Sequence, residues 1–204
     1  MDIVLKRIEK MDEKKAMRFA VNGMNLNRYV QGSALRVYAR YFWYMEMERA
    51  TQCIAAYVDG SFSGILLADM KGEPHVYGKW YRRLFVRFVH WLLGRFYGKS
   101  SGEYDEANRD MLTDYKKICE PDGELIFLAA DPDYHIKGIG TALLRELEKR
   151  ENGKRIYLYT DDGCTWQFYE HRGFDRVGER NIRMDIDGKA VPIKCMLYSK
   201  KMEN

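Results

Sequence analysis

A strand-like run, Glu124–Ala130, feeds a turn that holds Gly138 and Gly140, and an amphipathic helix follows to Arg150. A helix entered through such a turn leaves its first backbone N–H groups without intrahelical acceptors. The helix dipole places positive charge at the same point. Phosphate or pyrophosphate is the anion that such a cradle suits. One strand and one loop further on lies Gln167-Phe168-Tyr169-Glu170-His171-Arg172-Gly173-Phe174, in which Tyr169 carries a hydroxyl able to release a proton.

Two common anion motifs fail here. A GxGxxG dinucleotide fingerprint would need a third glycine where Leu143 stands, and this turn lies deep in the chain rather than at a first βα unit. A P-loop would need GKS or GKT after the glycines, and neither follows.

The elements that must position these groups are legible as a mixed order. Ile3–Ile8 is a candidate first strand. Asp12 is a candidate N-cap for a helix carrying Ala16, Phe19 and Ala20, ended by the Asn-rich 22–27 stretch. Ser33 can cap a second helix, Ala34 to about Ala50. Cys53–Val58 and Ser63–Leu67 then flank Asp59-Gly60, a hairpin signal. From Lys71 to Asp122 the pattern is helical: a basic amphipathic helix, a KSSGE loop and a helix around Ala107–Cys119. After the Gly-turn helix, which stops near Asn152-Gly153, Arg155–Thr160 is a strand. Thr165–Arg172 is a short helix closed by Gly173, and two last strands meet at Asp187-Gly188. This order predicts a mixed α/β fold around one sheet, in a single domain spanning 1–204 with a helical insertion at about 71–122.

Composition narrows the classes. Of 204 residues, 46% are hydrophobic and 14% aromatic, which fits a folded core, and the net charge of +4 is too small for a nucleic-acid binder. Cys53, Cys119, Cys164 and Cys195 are scattered, with neither CxxC nor zinc spacing, so reduced thiols, a cytoplasmic location and no metal are expected. His75, His90 and His171 show no ligand or triad spacing and are expected in packed or surface roles. No signal peptide is visible. Val76–Gly98 holds Lys79, Arg82, Arg83, Arg87 and Arg95, too many charges for a membrane span. On a helical wheel its Trp80, Leu84, Phe85, Phe88, Trp91, Leu92 and Phe96 share one side, opposite Lys79, Arg82, Arg83 and Arg87. Packing on the protein's own core or a partner is the expectation, with a membrane surface as the alternative.

The DPDYxxKGIGTALL and FYExxGF segments, in this order and spacing, resemble the GNAT family of acetyl-CoA-dependent N-acetyltransferases. The VDGSFSGILLAD hairpin resembles the second and third strands of that family. The resemblance covers nearly the whole chain outside Lys71–Asp122. Insertions at that place occur in relatives that resemble puromycin-type antibiotic acetyltransferases. The resemblance implies the GNAT fold: a mostly antiparallel sheet with splayed middle strands, flanked by helices. It implies that backbone amides around Lys137, Gly138, Ile139, Gly140 and Thr141 hold the CoA pyrophosphate. It also implies that Leu128, Ala129 and Ala130 pair with the pantetheine arm. Where the family opens its turn with Arg or Gln and then Gly, this chain has His135 and Ile136. Where the family often has Asn near the pantetheine, it has Asp162, which can still cap a helix.

By the same resemblance Tyr169 is the acid that protonates the departing CoA thiolate, and the Ala130 N–H is the donor to the thioester oxygen. A base is also needed, because an amine attacks only when neutral. Glu124 is the candidate on the strand, and Glu46 and Glu48 are the candidates on the second helix. The function implied is acetyl transfer from acetyl-CoA to a primary amine of a small molecule, by direct attack in a ternary complex. A silent CoA-binding sensor or scaffold and a protein N-acetyltransferase are the alternatives. The insertion would wall the acceptor cleft with Trp80, Tyr81 or Trp91, pack on the sheet, or form a homodimer contact.

Overall fold

The computed structural model describes residues 2–24, 27, 32–97, 100–132, 137–186 and 189–203. The described elements run β1 (Ile3–Lys6), α1 (Glu13–Gly23), α2 (Gly32–Arg49), β2 (Gln52–Val58), β3 (Ser61–Met70), α3 (Trp80–Tyr97), α4 (Ser100–Lys116) and β4 (Gly123–Ala130). They continue with α5 (Ile139–Arg150), β5 (Arg155–Asp161), α6 (Gln167–Glu170), β6 (Asp175–Ile186) and β7 (Lys189–Lys201). One seven-stranded sheet has the order β1-β2-β3-β4-β5-β7-β6. Only β4 and β5 pair in parallel; every other neighbour is antiparallel.

The β2–β3 hairpin turns on Asp59 (φ 49°) and Gly60 (φ 77°). Two positive φ angles give the tight turn whose twist matches its strands. Both strands are buried on both faces, so they read as continuous apolar runs rather than alternating ones. The β3–β4 register runs Leu67↔Phe127 and then Ala68↔Leu125. Ile126 is therefore an extra residue, a bulge that bends β4 just beyond Glu124.

Helices cover both faces. Leu125 and Leu128 of β4 join Ile139, Leu143 and Leu147 of α5 in one core. Phe127 and Ala129 join Phe19 of α1 and Phe42, Trp43 and Met47 of α2 in the other. Alternation along β7 places α4 on the α1/α2 side. Cys195 and Leu197 pack with Ala107, Met111 and Tyr115 of α4, while Met196 and Tyr198 join the α5 core. The segment between β3 and β4 thus lays α4 across the outer strands and α3 against α2.

Several local expectations change. Asp12 precedes α1 but makes no capping bond; its carboxylate accepts the Tyr57 hydroxyl at 2.8 Å. A buried phenol claims the carboxylate that the helix end would otherwise use. Ser33 lies inside α2, which already starts at Gly32, and Ser100–Glu103 of the predicted loop are the first turn of α4. The Asp187-Gly188 turn lies outside the described residues.

The largest change is the orientation of α3. Its face toward α2 carries Phe85, Val89 and Arg82, the last only 1% exposed, and Tyr44 of α2 meets Phe85 edge-on. Trp80, Leu84, Phe88 and Trp91 point outward. Arg82 is held because Nη2 donates to both Glu13 oxygens, at 2.8 and 2.9 Å, with the Tyr44 ring 5.1 Å away. Its Nε and Nη1 are buried with no hydrogen-bond partner among the described residues. A buried charge is tolerated only while its counter-charge is present. Glu13→Ala should therefore cost about 2–4 kcal/mol in denaturant unfolding, while Arg82→Met, which removes the charge and keeps the volume, should cost less.

Candidate active site

β4 and β5 pair at two positions only, Gly123↔Ile156 and Glu124↔Tyr157. Beyond Glu124 they part. The Asp131 N–H donates to Ser63 O at 2.8 Å, toward β3. Strand alternation therefore turns the N–H and C=O of Leu128 and Ala130 the other way, into the gap. Ala129 is buried, and its Cβ lies where a Cβ on Gly23 of α1 would be only 3.3 Å away. The close approach of α1 accounts for its small side chain.

The gap leads to the start of α5. Gly138 (φ 101°) is its N-cap, with no side-chain capping bond, and the first described bond back is Ala142 N–H to Gly138 O at 2.9 Å. The N–H groups of Ile139, Gly140 and Thr141 precede that bond, at the helix end whose first donors find no intrahelical acceptor. Ile139 sends its side chain into the core above Gly64, where an added Cβ would come within 2.6 Å of Ile139 Cγ2. That contact pins the helix start to β3. Lys137 is exposed at the turn; His135 and Ile136 lie outside the described residues.

A cavity of about 320 Å³ beside α5 is lined by Thr141, Arg145, Glu148, His171, Arg172 and Lys200, among others. Arg172 donates to Thr141 Oγ1 from Nε (3.1 Å) and Nη2 (2.7 Å), so this cationic wall adjoins the first turn of α5. Sequence reasoning passed over Arg172 because it stood inside a motif valued for its tyrosine and glycine.

Tyr169 packs among Phe168, Phe174 and Tyr198, with ring centroids 5.5, 5.7 and 6.3 Å away. Its hydroxyl makes no hydrogen bond among the described residues. Burial, with a smaller push from Cys164, raises its pKa, so it remains a proton donor at neutral pH. Asp162 is exposed, and α6 starts after Trp166 without a side-chain cap. Its neighbour Asp161 does the structural work instead. Asp161 is buried, accepts the Gly163 N–H at 2.8 Å and receives the Tyr104 hydroxyl at 3.3 Å.

The α2/α4 side of the sheet carries the carboxylates. Arg49 contacts three of them: Glu124 in a short ion pair, Glu46 at 3.5 Å and Asp69 at 3.5 Å. Glu124 also accepts the Tyr157 hydroxyl at 3.1 Å. Glu46 is buried, and its Oε2 has no hydrogen-bond partner among the described residues. Burial pushes its pKa up to about 7, against the opposing pull of Arg49 and with help from Glu124 and Asp69. Glu48 is committed elsewhere: it accepts the Lys79 N–H at 3.0 Å and Arg83 Nε at 2.8 Å, holding the start of α3. Tyr38, Tyr41 and Asp105 lie near Glu46 on this side. Asp105 of α4 and Glu46 both raise the pKa of the two tyrosines, after burial itself. Tyr41 meets His90 Nδ1 at 3.2 Å.

Residues 106–176 match the family model for the acetyltransferase (GNAT) domain. The stretch from α4 to the start of β6 is thus similar to that domain. Solved structures agree on the fold. Polyamine N-acetyltransferase from Drosophila melanogaster is 12% identical over 98% of this chain and 100% of its own, with a TM-score of 0.59. PaiA N-acetyltransferase from Thermoplasma acidophilum, in complex with coenzyme A, is 16% identical over 98% and 99%, with a TM-score of 0.52. A ribosomal-protein-alanine N-acetyltransferase from Escherichia coli is 16% identical over 100% and 96%, with a TM-score of 0.51. No curated protein matches the chain significantly in sequence.

The helices between β3 and β4 reach the carboxylate side of the sheet through α4, by Tyr104 and Asp105. Trp80, Tyr81 and Trp91 face solvent instead. The raised pKa of Glu46 has a measurable consequence for folding. Its stabilising share is fully present below about pH 4.5 and is lost as pH rises through about 7, because the unfolded chain releases this proton first. Glu46→Gln should therefore raise stability at pH 8 by on the order of 1–3 kcal/mol and leave it nearly unchanged at pH 4, read from urea titrations at the two values.

Proposed function

We propose that the protein transfers acetyl from acetyl-CoA to the primary amine of a small molecule, by direct attack with both substrates bound. The observation that carries this reading is the parting of β4 and β5, which opens a backbone edge ending at an uncapped helix start. The Leu128 and Ala130 edge would bind the amide-bearing pantetheine arm as a further strand does. The N–H groups of Ile139, Gly140 and Thr141 would hold the pyrophosphate, with Lys137, Arg145 and Arg172 supplying positive charge nearby. The co-substrate supplies the thioester; the chain supplies the proton transfers.

The acceptor reaches the gap from the α2/α4 face, where Glu46, Asp69 and Glu124 outnumber Arg49 and favour a cation. Glu124, paired with Arg49 and accepting the Tyr157 hydroxyl, orients the ammonium. Glu46, with its pKa near 7, takes the proton and leaves the amine neutral. The Ala130 N–H faces the negative charge that grows on the carbonyl oxygen. Tyr169 then returns a proton to the leaving thiolate. A carboxylate near pH 7 and a phenol above its usual range are matched to those opposite tasks.

An amine panel assayed by thiol release tests this. Tyr169→Phe should lower kcat by about 10²-fold or more and leave the acetyl-CoA KM nearly unchanged. Wild-type kcat/KM should rise with pH through about 7, and Glu46→Gln should abolish that limb. An unchanged kcat in Tyr169→Phe removes the acid assignment. Absence of thiol release with every amine, despite a rise in Tm with acetyl-CoA, removes the catalytic reading and leaves a binding domain.

A further inference from the structure

We propose that the outward face of α3 docks the protein on an anionic membrane surface. Trp80 is 73% exposed, Phe88 60% and Trp91 64%, and Leu84 and Leu92 lie exposed on the same side. These side chains fall at helical spacing, so they form one stripe roughly 18 Å long. A contiguous apolar stripe of this kind marks a contact surface. Phe88 and Trp91 already stack on each other, at 6.4 Å between centroids.

Charge decides what covers the stripe. The helix from Trp80 to Tyr97 contains no Asp or Glu. Arg87 is exposed along one flank beside Arg83, which stays 64% exposed although its Nε is paired with Glu48, and Arg95 is exposed at the far end. The fourth arginine of the helix, Arg82, is buried on Glu13 and adds nothing to this surface. A second copy of the chain, docked by two-fold symmetry, would set these arginines against each other. A layer of anionic headgroups pairs with them, while the indole and phenyl rings enter the boundary of the acyl region. Among the described residues no helix is long and apolar enough to cross a membrane, so α3 lies along the surface rather than through it.

The inference is independent of the enzymatic reading, and vesicle co-sedimentation of the full chain tests it. Vesicles of phosphatidylcholine with about 30% phosphatidylglycerol should bind the protein about tenfold or more above phosphatidylcholine alone, with a blue shift of tryptophan emission and loss of binding in high salt. The double variant Phe88→Ser/Trp91→Ser, and separately Arg87→Glu, should each reduce binding about tenfold, with circular dichroism unchanged because the altered side chains are exposed. Failure to bind the anionic vesicles overturns the proposal, as does equal binding to both vesicle types with Arg87→Glu silent. A dimer in solution that the double variant converts to monomer would assign the stripe to a second copy instead.

Discussion

The site depends on one interrupted ladder. Parallel strands that neighbour each other normally continue to exchange hydrogen bonds, because a buried backbone group without a partner costs about 1–3 kcal/mol. β4 and β5 stop after Glu124↔Tyr157. The bulge at Ile126 bends β4 at that point, and Gly123 fixes its start, where any Cβ would meet the Met70 sulfur at 2.4 Å. Ion pairing of Arg49 with Glu124 then ties α2 to the last paired position. Everything that the sheet leaves unpaired beyond that point is available to a ligand with amide groups of its own.

The two faces of the opening differ in charge. On the α5 side lie the uncapped helix start and the Arg145, Arg172 and Lys200 wall, suited to phosphates. On the α2/α4 side lie Glu46, Asp69, Glu124 and Asp105, suited to an ammonium. In the proposed reaction a polyanionic donor and a cationic acceptor would be drawn to opposite sides of one sheet, as direct attack in a ternary complex requires. Within the α3–α4 segment, α4 packs on the carboxylate side of the sheet, while α3 leaves its aromatic stripe exposed.

What was legible in the sequence follows the range of the interactions concerned. Asp59-Gly60 and Gly138 announced their turns because local backbone geometry alone demands those residues. The outward roll of α3 had no such signal: it depends on Arg82 finding Glu13, 69 residues upstream, and a helical wheel treats every arginine as a surface charge. Adjacent aspartates 161 and 162 look alike in the sequence, and only the fold buries the first under Tyr104. Glu46 and Glu48 differ by two helical positions, which sends one into the cleft and the other to the start of α3. The motifs drew attention to the α5 start through a family resemblance. The carboxylate cluster is assembled from single residues on α2, α4, β3 and β4, and no spacing records such a set.

Residue-resolved amide hydrogen exchange, with and without CoA, addresses the central claim most directly. The account predicts that CoA slows exchange at Leu128, Ala130, Ile139, Gly140 and Thr141 together, since these N–H groups line the opened edge and the helix start. Unchanged exchange at those five amides under saturating CoA, or protection confined to another surface, would contradict it.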